Sequence, residues 1–171
     1  YGFGVENTPM DELRTVTPTK LVGATFVGTT IDPNFWTVVN ANGGTTTQAS
    51  GQVTLSTNTT ASGSTYIQSV RNARYVGGSS NRFRGVIQLG DTGVTNNSRK
   101  WGMFNGTDGC YFELDGTTLY TVSLKASTPT RVASTNWSNS TTLPTLTNSN
   151  TYEIYVTNSK AVSYTHLRAH E

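Results

Sequence analysis

Within the strand-patterned part of this chain, five acidic side chains have the means for acid–base chemistry: Asp91, Asp108, Glu113, Asp115 and Glu153. Cleaving a glycosidic bond takes two carboxylates on opposite sides of that bond, about 5 to 9 Å apart. Asp91, Asp108 and Asp115 each adjoin a glycine, in the pattern of turns where Asp bonds its own backbone. Glu113 and Glu153 alternate with apolar residues and are expected to point outward, as solubilising surface groups. Asn96, Asn97 and Asn105, with Asp91 and Asp108, are hard oxygen donors of the kind calcium takes, but no Asp-x-Asp-x-Asp spacing organises them and turn composition explains them better. Cys110 is the only cysteine; it alternates with Phe112 and Leu114, which marks a small buried hydrophobe, and neither a histidine nor a helix N-terminus is on hand to make it a nucleophile. His166 and His170 are four apart and lack a third ligand. Trp36, Trp101 and Trp137 have the rings that stack on sugars; Trp36 reads as core, Trp101 opens a strand, and Trp137, in a polar stretch, is either a rim-packed or an exposed aromatic. The sequence therefore assigns no catalytic residue, no cofactor and no metal ligand, and leaves any ligand-binding residues unknown.

The elements that would position these groups are short antiparallel strands. From Asn105 to Leu124 the pattern is a hairpin with Asn-Gly and Asp-Gly turns. Cys110, Phe112 and Leu114 face one way, Tyr111 and Glu113 the other. Phe83, Gly85, Ile87 and Leu89 share one face of a central strand, with Gly85 marking a bulge or a close neighbour. Tyr152, Ile154 and Val156 face inward from a third strand. Further strands are expected at Leu21–Phe26, Phe35–Val39, Thr45–Gln48, Gln52–Thr57 (Val53 and Leu55 inward), within Tyr66–Tyr75, and at Thr130–Ser134, with a Ser/Thr/Pro-rich link after Leu124. Asp32-Pro33-Asn34 and Asn42-Gly43-Gly44 are turns. With no helical period between the strands, the fold class is all-β, an antiparallel β-sandwich.

Composition agrees. The chain has 171 residues, 34% hydrophobic and only 13% charged, the balance being Thr, Ser, Asn and Gly; its aromatic content argues against disorder. A net charge of +2 steers weakly, and Arg71, Arg74, Arg82 and Arg84 are too sparse for a nucleic-acid interface, reading as a solvated strand face with an anion or glycan contact as the lesser alternative. No apolar run is long enough for membrane insertion. Asn-x-Ser/Thr matches at Asn58, Asn96, Asn105, Asn136 and Asn139 follow from composition. The domain reading is an N-terminal arm or linker at 1–20, a β-sandwich at 21–162, and a non-native or disordered tail at 163–171. The chain does not begin with Met and reads as a fragment.

Lys100-Trp101-Gly102-Met103-Phe104, the hairpin after it, Asn136-Trp137, Leu21–Phe26, Asp32–Trp36, Ser69–Tyr75 and Tyr152–Asn158 resemble segments of tailed-bacteriophage virion structural proteins, over most of 21–162. The ending at Ser163–Glu171 resembles a spurious tail found in translated metagenomic fragments. The resemblance implies a concanavalin-like or laminin-G-like jelly roll, truncated at its C-terminus. It implies a non-enzymatic virion module, tail or fibre associated, whose partners are other virion proteins or copies of itself. The alternative it carries is a lectin-like carbohydrate-binding module for host-surface glycans. Truncation beside the strand at Tyr152–Thr157 would leave an open sheet edge. The expected outcome is an isolated chain that is marginally stable or aggregates; reversible, cooperative unfolding of a soluble monomer would contradict it.

Overall fold

The computed structural model describes residues 19–59, 61–73, 80–138 and 143–156, and the backbone of 161–166. It is built of antiparallel strands in four small sheets, an all-β arrangement, divided into two compact units, Tyr1–Ala73 and Arg74–Glu171. The expected arm at 1–20 lies almost wholly outside the described residues.

In the first unit, β1 (Trp36–Ala41) pairs with β4 (Ser64–Ser69), and β2 (Thr45–Ala49) with β3 (Gln52–Ser56). Asn42 and Gly43, at φ 50° and 81°, turn the chain from β1 to β2, closed by Gly44 N–H donating to Ala41 O at 3.0 Å. Ser50 and Gly51 (φ 52° and 75°) form the two-residue β2–β3 loop that matches strand twist. Asp32 accepts from the Asn34 backbone N–H at 2.9 Å, the turn anticipated at Asp32-Pro33-Asn34. Polar groups tie the strands together: Thr46 and Thr65 hydroxyls donate to the exposed Asn40 Oδ1, at 2.8 and 2.7 Å, and Gln48 donates to Val27 O at 3.1 Å. Gln48 is the unit's only buried residue among those described.

Two expectations fail in this unit. Leu21–Phe26 is not a strand: Phe26 sits at φ 50°, outside the extended region, and its ring instead packs on Trp36 at 5.6 Å. Val53 and Leu55 do share a face with Gln48 and Thr46, but Leu55 is 43% exposed, because alternation sets the face a side chain takes and not whether another element covers it.

The second unit contains all eight buried hydrophobic residues of the described chain. One sheet has the order β11–β10–β5, with β5 Asn81–Ile87, β10 Asn150–Val156 and β11 Ala161–His166. The other is the meander β6–β7–β8–β9, with β6 Ser98–Phe104, β7 Gly109–Asp115, β8 Thr118–Lys125 and β9 Thr128–Ala133. Trp101, Phe112, Leu114 and Leu119 from the meander meet Tyr152 and Ile154 of β10, with Phe83, Ile87, Leu89, Cys110 and Val156 packed around them, as period-two patterning anticipates. Each such large side chain removed from water contributes about 1.5–3 kcal/mol. Gly85 pairs with Tyr152, and an added Cβ would come within 3.0 Å of the Phe83 ring, so its role is close approach. The expected boundary at 162 falls inside β11, whose backbone pairs with β10 from Thr151↔His166 to Val156↔Ala161. Residues 167–171 lie outside the described part.

The link expected after Leu124 is a tight hairpin. Ala126 and Ser127, at φ 47° and 64°, are its two loop residues. This conformation is unfavourable for side-chain-bearing residues, and neighbouring bonds hold it: Ala126 N–H donates to Asp108 Oδ1 (3.1 Å) and Ser127 N–H to Thr107 O (2.8 Å).

Tyr152 is fully buried and its hydroxyl meets no well-formed hydrogen-bond partner among the described residues; the Asn150 amide nearby spends its protons on Thr145 O and Asn148 O. Burial pushes the Tyr152 phenol up to about 12, against a smaller opposing effect of Asn150. A phenol raised in the fold stabilises fully below its unfolded value near 10, and that contribution is lost as pH rises toward 12. Tyr152→Phe is expected to leave stability at neutral pH unchanged or higher, since it removes an unpaired buried hydroxyl costing about 1–3 kcal/mol. It should also flatten the loss of stability between pH 10 and 12, measured by urea unfolding across that range.

Candidate functional site

The pleat that sends Phe112 and Leu114 into the core sends Tyr111, Glu113 and Asp115 to the opposite face of the meander. On that face Lys100 lies directly across from Glu113 on β6, Tyr120 directly across on β8, and Arg131 comes from β9. Ser98 Oγ donates to Glu113 Oε1 at 3.0 Å, Lys100 Nζ stands 3.3 Å from the same oxygen, and Arg131 Nε lies 2.9 Å from Oε2. Arg131 also reaches Asp115 at 3.4 Å. The result is a carboxylate only 1% exposed, roofed by two cations that each stay 41% exposed. The cations lie over aromatic rings, Lys100 5.5 Å from the Tyr111 centroid and Arg131 5.7 Å from that of Tyr120. Phe104 closes one end of the face, 4.6 Å from Tyr111 and 44% exposed. Gly102 stands opposite Tyr111 at φ 153°, where a Cβ would come within 2.6 Å of the Tyr111 Cα.

Glu153 repeats this arrangement on the other sheet. It is 2% exposed, ion-paired with Arg82, and opposite Arg84 in register; Arg82 lies 5.1 Å from the Tyr155 ring centroid. Both glutamates do face away from the core, yet neither is a surface group, because arginines and lysines on flanking strands cover them. The expected arginine stripe is thus divided: Arg82 and Arg84 share the Glu153 face, Arg71 is exposed in the first unit, and Arg74 lies outside the described residues.

The three aspartates of the acid–base set do local structural work. Asp91 takes a two-pronged bond from Arg99, 2.8 Å at each oxygen, and accepts from Gly93 N–H at 2.7 Å. The Arg99 guanidinium, aided by the Gly93 bond, holds the Asp91 carboxyl below its usual value against the effect of burial. Arg99 Nε donates to Asn97 Oδ1, and Asn97 O accepts from Gly116 N–H, so this loop is laced to the β7–β8 turn. Asn105 Oδ1 accepts from the Thr107 and Asp108 N–H groups, both at 2.7 Å. The five oxygen donors weighed for calcium are therefore spread over two turns, where Asp91, Asn105 and Asp108 accept from backbone N–H groups and Asn97 from Arg99, and no cluster of three His, Cys, Asp or Glu capable of holding a metal occurs among the described residues.

Trp101 is core, in edge contact with Tyr152 at 5.0 Å. Trp137 packs edge-on to Phe112 at 6.3 Å and its indole donates to Val132 O at 3.3 Å, which settles it as a rim residue. Trp36 is half-buried against Phe26. Among the described residues the exposed aromatics are instead Phe35, Tyr66 and Phe104, read in the sequence as strand residues. Burial pushes the Cys110 thiol up, with Ser123 opposing, which disfavours the thiolate. His166 is described only in backbone, within β11; His170 and Asn139 lie outside the described residues.

No known protein family, curated protein or solved structure matches this chain.

Removing a cation from above Glu113 strands a buried charge, whereas neutralising Glu113 leaves two cations that water still reaches. Arg131→Ala is expected to destabilise by about 3 kcal/mol, at the low end for a broken buried pair because Lys100 remains. Glu113→Gln should cost about 1 kcal/mol, the scale of one ordinary hydrogen bond. Chemical denaturation of both variants checks the order, which reverses if Glu113 is solvated rather than roofed.

Proposed function

We propose that this chain is a non-enzymatic structural module of a tailed-phage virion, tail or fibre associated, with a concanavalin-like jelly-roll plan and with other virion proteins or copies of itself as partners. The observation that carries the non-enzymatic part is the commitment of its central carboxylates. Glu113 is held between Lys100 and Arg131, Glu153 by Arg82, and Asp91 by Arg99. A catalytic carboxyl must be presented to a substrate, whereas these carboxylates face cations of the fold itself. Anions fixed between cations on the outer faces brace strands. The two sheets of the second unit, with their shared apolar interior, support the sandwich plan. The virion assignment is supported by the resemblance of the segments around Lys100–Phe104 and Tyr152–Asn158.

A lectin-like role in binding host-surface glycans is the second reading. The feature in its favour is the outer face of the meander, where exposed Phe104 adjoins Tyr111 beside the Lys100–Glu113–Arg131 group. An exposed ring next to fixed polar groups is the combination that sugars take.

Antibodies against the recombinant chain, applied by immunogold electron microscopy to phage particles whose genome carries this sequence, are expected to label tails or fibres. Unlabelled particles, with the chain only in the lysate, would overturn the structural reading. A bacterial glycan array run with wild type and Phe104→Ala separates the second role: binding lost in the variant supports it, and no binding across the array removes it.

A further inference from the structure

We propose that the outward face of the β1–β4 ribbon is a self-association surface, docking the same face of a second copy of this chain. The inference stands on the first unit alone and does not depend on the virion reading.

In the ribbon, Thr37↔Gln68, Val39↔Tyr66 and Ala41↔Ser64 are cross-strand pairs on one face, and all six residues are exposed. Phe35 and Val70 extend that face, joined by the Val70 N–H to Phe35 O bond at 2.9 Å. Phe35, Val39, Tyr66 and Val70 are 46%, 36%, 45% and 50% exposed. Four large apolar groups side by side on one strand pair form a patch rather than the scattered exposure ordinary surfaces show. The opposite face of the ribbon carries the half-buried Trp36, Val38 and Ile67, so the exposure is one-sided.

The occupant follows from charge. From Pro33 through Val70 the sequence has no charged residue. A two-fold contact brings a patch against its own copy, so a charge close to the axis meets its like. Like charges placed opposite one another destabilise strand contacts, and charged edges are a common defence against association. This ribbon has neither obstacle. Its flanking charges in sequence, Asp32 and Arg71, are of opposite sign and lie at the same end of the ribbon, so a mate related by a two-fold axis along the strands, which sets β1 over β4, places each opposite a counter-charge. A partner bearing a charged surface would lose hydration here and find nothing to pair with.

Sedimentation velocity of the full chain over a concentration series tests this, with three variants. Wild type is expected to pass from monomer to a discrete dimer. Val39→Lys with Tyr66→Lys, and separately Val39→Glu with Tyr66→Glu, should each weaken dimerisation roughly a hundredfold or more, since like-charge contact costs several kcal/mol. An equimolar mixture of the two should restore a dimer containing one of each. Val86→Lys, at a 68% exposed site in the second unit, should leave the dimer intact. Circular dichroism checks that the variants keep their strands. If a double variant fails to fold, a photo-crosslinking residue at the exposed Thr37 replaces it, and covalent dimers joined within 33–70 are expected. A wild-type chain monomeric at every concentration, a dimer indifferent to both charge variants, or no crosslink from position 37 overturns the proposal.

Discussion

Tyr152 holds the second unit together. Its ring stands 5.0 Å from both Trp101 and Phe112, edge-on to each, so one side chain of β10 is wedged against two neighbouring strands of the other sheet. Trp101 and Phe112 are themselves stacked at 6.1 Å. Such pairs contribute about 0.5–1.5 kcal/mol each beyond the area they bury. The cost is polar: the Tyr152 hydroxyl and the Trp101 indole N–H are both buried without partners among the described residues, so ring volume and shape dominate this seam. Trp137 and Leu146 then complete the wall from the long β9–β10 connection.

The same two strands that supply the wedge and its socket also fix the pairing. β7 carries Phe112-Glu113-Leu114 and β10 carries Tyr152-Glu153-Ile154. In each, an aromatic and an aliphatic residue point inward and the glutamate between them points outward under cations. A slip of one residue in either strand would drive a carboxylate into the apolar interior and lift two large hydrophobics into water. An ion pair of this kind adds little net stability, because desolvation offsets much of the attraction, but it penalises every wrong register heavily. The alternation thus specifies the fold as much as it stabilises it.

These faces were legible in the sequence because the pleat is strictly two-fold: Phe83, Ile87, Phe112, Leu114, Tyr152 and Ile154 all sit where alternation puts them. What alternation cannot show is what lies above a side chain. Glu113 faces outward as read, yet Arg131, two strands away in the meander, covers it, and no local pattern links positions 113 and 131. Trp137 sits in a polar stretch and still packs, because its partner Phe112 is remote in sequence. The Ala126-Ser127 hairpin lacks the Gly or Asn that marks a tight turn; its unfavourable dihedrals are held by Thr107 and Asp108 from another loop. Leu21–Phe26 had the composition of a strand but no partner strand. In each case the missing information was tertiary.

The two units solve the same problem by opposite means. The second buries aromatics and uses charges on its outer faces to pin register. The first is tied by hydroxyl–amide bonds, with the exposed Asn40 taking bonds from Thr46 and Thr65, and has no charge from Pro33 to Val70. Such a bonding pattern gives up hydrophobic stabilisation and gains direction, since each hydroxyl must find its acceptor. It holds the ribbon in shape while leaving Phe35, Val39, Tyr66 and Val70 outside. A sheet that wanted those residues for its own core would have turned them over by a one-residue shift, exchanging them with Trp36, Val38 and Ile67. Apolar side chains are divided between the two faces of the ribbon, with Asn40 and Thr65 beside Trp36, Val38 and Ile67 and with Thr37 and Gln68 beside Val39 and Tyr66, so alternation alone assigns neither face to a core.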